Sequence, residues 1–234
     1  MAASRARWYI GIWDLWFYPR ENAMSTSEGN NQPPEWALLS VREFLAALAA
    51  KTPAPGGGAT SALSGALAAA QTLMVVEYSI GKKSLMDHQS ALTGYRARLS
   101  KILEIFLQLM DEDAAAYAQL SPWLKQSAAD RNRDTRFNAA LTAAIRAPQT
   151  IAALANELLE CCVALSAITN NNLASDLWVA ADVAAACGRS ALRNVQTNLP
   201  LLPDAAALEM ERTQTAELDR HFRQLTAQIP AFKI

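Results

Sequence analysis

The chain has 234 residues, of which 51% are hydrophobic and 18% charged, with a formal net charge of −1. That composition excludes a disordered chain and offers no basic surplus for capturing nucleic acid. Its three cysteines, Cys161, Cys162 and Cys187, and two histidines, His88 and His221, show neither a disulfide framework nor a zinc spacing. No metal is expected, and a reducing, cytoplasmic compartment is the default.

The N-terminal stretch, residues 5–19, is apolar and aromatic, with Trp8, Trp13 and Trp16. It is too short to span a bilayer and Asp14 interrupts it, so no membrane partner is expected. It lacks a clear signal-peptide cleavage site. Residues 1–39 are expected to form a tail and linker outside the fold. Met24 is a candidate alternative start, and a peripheral anchor is the rival reading.

Residues 40–234 are expected to form one helical domain. Ser40 followed by Glu43 matches a capping box and predicts a helix to about Ala49. Thr52-Pro53-Ala54-Pro55-Gly56-Gly57-Gly58 comes next. Its prolines forbid a helix there, and its glycines let another group approach the main chain. The alanine-rich run 59–80 predicts a helix buried on nearly every side, ended by Gly81-Lys82-Lys83. Between 84 and 120, Leu92, Tyr95, Leu99, Ile102, Phe106, Leu109 and Met110 form one helical stripe.

Residues 124–136 predict a polar loop or frayed turn of basic character. Helical patterns follow over 137–146 and 150–168, with Pro148 interrupting or restarting them. Asn170-Asn171-Asn172 marks a turn, Ser175 is a candidate cap for a helix over 176–195, and Pro203-Asp204 opens a last helix to about residue 228. No strand pattern stands out, so the fold class is all-α, a single-domain bundle of six to eight helices. So much alanine supplies little apolar area per residue, which predicts a helix face buried in a homodimer.

Several groups could carry chemistry. A glycine-rich loop that opens a helix leaves backbone N–H groups for a polar or anionic ligand, or is only a tight entry turn. Asp111 and Asp113 cannot share a helix face, whereas Asp113 and Tyr117, four apart, can. Asp176 at a helix start is either a dipole-stabilised cap or a site carboxylate. Asn194 and Asn198 lie one turn apart near the end of the same helix. No nucleophilic triad or nucleotide-binding motif is present.

Pro53 to Ala59, Gly65-Ala66-Leu67, Gly81-Lys82-Lys83, Asp111 to Tyr117, Ser175-Asp176 and the pair Asn194 and Asn198-Leu199, in this order, resemble the cyclodeaminase/cyclohydrolase family. That family includes the cyclodeaminase half of formiminotransferase-cyclodeaminase and stand-alone methenyltetrahydrofolate cyclohydrolases. The resemblance covers about residues 41–228. It departs from the family at Ser84-Leu85 and at Gln196 and Thr197.

The resemblance implies an all-helical homodimer acting on a one-carbon adduct of tetrahydrofolate as substrate, without a cofactor. It implies Asp176 as the proton-transfer group. Asp113, with Asp111 as the weaker choice, would orient Asp176 or hold the pterin. Lys82 would contact the substrate or a carboxylate. Pro55, Gly56, Gly57 and Gly58 would let the folate ring approach the backbone, and Ser175, Asn194 and Asn198 complete the candidate binding set. The favoured reaction is hydrolysis of 5,10-methenyltetrahydrofolate to 10-formyltetrahydrofolate. The alternatives are cyclodeamination of 5-formiminotetrahydrofolate and a non-catalytic folate-binding module.

Overall fold

The computed structural model describes residues 35–228, which fall in one compact unit. The expectations for residues 1–34, including the aromatic stretch and Met24, lie outside the described residues. Seven α-helices follow one another: α1 (Val41–Ala49), α2 (Gly57–Glu77), α3 (Gln89–Leu120), α4 (Ala128–Arg131), α5 (Thr135–Leu165), α6 (Ala174–Asn198) and α7 (Ala205–Thr226). Short 3-10 turns punctuate them, and no strand occurs among the described residues.

The capping box forms as predicted. Ser40 Oγ accepts from the Glu43 N–H at 3.3 Å, and a Glu43 carboxylate oxygen accepts from the Ser40 N–H at 2.9 Å. The linker expectation does not extend to residues 35–39. Trp36, Ala37 and Leu39 pack against the core. Gly81 ends the α2 turn at φ 79°, which an L side chain rarely adopts, and its N–H donates to Gln89 Oε1 at 2.7 Å.

α2 is the centre of the bundle and packs on α3, α5 and α6. Of these, α3 and α6 run antiparallel to it and α5 runs parallel. Gly65 meets Phe106 of α3 so closely that a Cβ would lie 2.4 Å from the ring, and Thr72 Oγ1 lies 3.4 Å from Cys162 Sγ of α5. Long enough and apolar enough to cross a membrane by composition, α2 nevertheless buries Ala59, Ala62, Ala66, Ala69, Val75 and Val76 in the core. A second, smaller core joins Leu120, Phe137, Leu141 and Ile145 to Val195 and Leu199, closing the end of the bundle where α3 and α6 finish.

Two sequence expectations are corrected. Pro148 does not break its helix: α5 runs through it, and the proline is buried. A proline lacks the N–H that would bond the carbonyl four residues back, which leaves Ala144 O orphaned. Asn198 Nδ2 of α6 donates to that carbonyl at 2.8 Å. Ser175 does not cap α6; the helix starts at Ala174 and Ser175 sits exposed in its first turn. The polar loop 124–136 contains the one-turn helix α4, capped by Ser127.

Candidate active site

The glycine loop delivers the start of α2 to two side chains. Gly56 is the extended N-cap residue and supplies no side-chain cap. The first N–H groups of a helix have no intrahelical partner, so this end is electropositive. The Asp113 carboxyl of α3 lies directly against Gly58, where any Cβ would fall 2.0 Å from it. Asn194 of α6 stands over Gly57, its Oδ1 3.2 Å from where a Cβ would be. The backbone at 57–58 is therefore bare because two polar side chains occupy the space a side chain would need. Pro55, before them, is buried.

Burial pushes the Asp113 carboxyl up to about 6. A carboxyl that titrates there can both accept and return a proton near neutral pH. Asp111, two residues earlier, points elsewhere and accepts the Trp36 N–H at 2.7 Å. Its pKa is raised by burial, against the lowering effect of that hydrogen bond. Asn198, next to Asn194 on α6, is the residue that donates to Ala144 O.

Asp176 is elsewhere. Its Oδ1 accepts from Gln71 Nε2 at 2.9 Å, in the C-terminal half of α2. Gly57 and Gln71 are about four helical turns apart, or about 21 Å at 1.5 Å per residue. One chain therefore keeps Asp176 and Asp113 at opposite ends of α2, beyond the reach of direct contact. Lys82, past the end of α2, belongs with the Asp176 end, as does the exposed Ser175. Sequence reading missed Gln71, although it is the one amide side chain in the run 59–80. It also missed Trp36, whose N–H fixes Asp111 and which no motif marks.

The three cysteines are withdrawn from chemistry. Burial pushes the Cys161, Cys162 and Cys187 thiols up to about 12, 11 and 12. Among the described residues no three His, Cys, Asp or Glu side chains are placed to hold a metal ion.

The model of the formiminotransferase-cyclodeaminase family matches residues 40–217. The chain belongs to that family. A methenyltetrahydrofolate cyclohydrolase from Methylorubrum extorquens is 31% identical over 185 residues, covering 76% of this chain and 87% of the relative. The formimidoyltransferase-cyclodeaminases of Gallus gallus and Rattus norvegicus are 27% and 28% identical, and the match covers only 38% and 35% of their lengths. The crystal structure of a formiminotetrahydrofolate cyclodeaminase from Thermotoga maritima superposes with a TM-score of 0.76, covering 82% of this chain and 94% of that one. Its identity of 24% speaks for a common helical fold. The likeness to the family fits the sequence expectation of an all-α bundle over residues 41–228.

Proposed function

We propose that this chain hydrolyses 5,10-methenyltetrahydrofolate to 10-formyltetrahydrofolate, with Asp113 as the general acid and base. The observation that carries the assignment is the buried Asp113 carboxyl, titrating near 6 and set against the bare start of α2. The likeness to the cyclohydrolase, which this chain covers almost end to end, supports hydrolysis over cyclodeamination.

The chemistry needs only substrate and water, so no cofactor is invoked. The methenyl carbon between nitrogens 5 and 10 is cationic. Ionised Asp113 stabilises that cation and accepts a proton as the water oxygen bonds to the carbon. The resulting carbinolamine collapses: its C–O becomes a carbonyl, the C–N5 bond breaks, and N5 takes up a proton from Asp113. The carbinol proton leaves to solvent, so one proton is released per turnover. Asn194, set over Gly57 beside Asp113, supplies an amide to hydrogen-bond the edge of the folate ring. General acid–base catalysis of this kind is worth about 10²–10⁴-fold.

The same proton transfers serve a second reading, cyclodeamination, in which nitrogen 10 attacks a formimino carbon and ammonia leaves. It is favoured by the likeness to the bifunctional relatives. The homodimer, a cytoplasmic setting and the absence of nucleic-acid or membrane partners complete the proposal. Purified protein with either substrate tests it: loss of the methenyl near-ultraviolet absorbance above the spontaneous rate supports hydrolysis. Ammonia release from the formimino compound alone would move the assignment to cyclodeamination.

A further inference from the structure

Phe106, Met110, Asp113 and Tyr117 recur at helical spacing and share one face of α3. Phe106 lies against Gly65 and Asp113 against Gly58, so the antiparallel helices step together, seven residues on each. The same register sets Tyr117 level with residue 54, before α2 begins at Gly57. Tyr117 thus stands one turn, about 6 Å, beyond Asp113 and past the end of the helix that covers it.

Tyr117 is 41% exposed. Among the described residues its hydroxyl and its ring have no hydrogen-bond or ring partner. The other groups at this end of the bundle are engaged. Trp123 and Phe137 meet edge to face with centroids 6.2 Å apart, and Arg136 and Arg131 lie over them. Asn198, one turn beyond Asn194 on α6, is tied to Ala144 O. A lone exposed tyrosine is ordinary surface. What distinguishes this one is its register with Asp113.

We propose that Tyr117 contacts the substrate, its ring lying against the cationic methenyl ring system, and makes the site prefer that cation to the uncharged formyl product. This rests on the hydrolase reading above. The face of a tyrosine ring is negative and attracts a flat cation within about 6 Å of its centre. The fused rings of the substrate reach from Asp113 to Tyr117. Hydrolysis removes the positive charge, so the attraction is lost once the product forms, which favours its release. A leucine in this place offers apolar area without that preference.

Steady-state kinetics of Tyr117→Leu, Tyr117→Gln and Tyr117→Phe tests it. For the first two, KM for 5,10-methenyltetrahydrofolate is expected to rise about 3–30-fold, the range of a cation–ring contact. Their kcat, and the inhibition constant of 10-formyltetrahydrofolate as product, should change less than threefold. Tyr117→Phe keeps the ring and should keep the wild-type KM. A KM rise below threefold in the first two would overturn the assignment. So would a rise of substrate and product constants in step with a fall in kcat and in the urea midpoint, the mark of a merely structural role. If wild type does not hydrolyse the methenyl compound, the hydrolase reading fails on its own. Tyr117 is then judged by calorimetric titration with 5,10-methenyltetrahydrofolate. Binding by wild type at least threefold tighter than by Tyr117→Leu would sustain the contact; equal affinities, or no binding by wild type, would overturn it.

Discussion

At the scale of single residues the account turns on Asp113. Its pKa is raised from 3.8 to about 6 because burial penalises the charged form. The folded chain therefore holds a proton between those values that the unfolded chain has released. Stability from this group is fully present below about 4 and declines as pH rises through 6. Asp113→Asn cannot ionise, so it should be more stable than wild type above pH 7, by about 1–3 kcal/mol, and should lose that advantage near pH 4. Urea unfolding at the two pH values reads this directly. The same substitution should lower kcat by about 10²–10⁴-fold. In wild type, kcat/KM should rise with pH through about 6, since hydrolysis starts from the carboxylate. Gly58→Ala is the steric counterpart. Its methyl would land 2.0 Å from the Asp113 carboxyl. The variant should fold with Asp113 displaced and activity lost, and Asp113→Asn added to it should cost almost nothing further in rate.

Among the helices, Pro148 and Asn198 form one device. The proline empties the Ala144 carbonyl and the asparagine fills it from α6. Asn198→Ala should cost about 1–2 kcal/mol by leaving that acceptor unpaired. In a Pro148→Ala background, where Ala147 is followed by an N–H that can bond Ala144 O, the cost should fall. A double-mutant cycle in urea reads the difference as coupling of the order of 1 kcal/mol. Sequence alone could not show this, because the two residues are far apart in the chain and a proline in a helical pattern ordinarily signals a break. Ser40 and Glu43, by contrast, were legible, since a capping box is settled within four residues. Ser175 failed as a cap for a related reason. The turn at Asn170 to Leu173 carries straight into α6, so the helix begins before the serine.

For the molecule as a whole, the apolar stripes of α2, α3 and α5 announced an all-helical bundle because helical periodicity is written locally. The glycine loop and Asp113 were legible as candidates, and the fold brings them together. The separation of Asp176 from Asp113 was not, because it follows from α2 and α6 running antiparallel, which places residues near one another only at matched ends. The central claim is most directly tested by following 5,10-methenyltetrahydrofolate absorbance with purified wild type and Asp113→Asn side by side. The account predicts acceleration above the spontaneous rate by wild type and a loss of at least a hundredfold in the variant. Equal rates from the two proteins would contradict it.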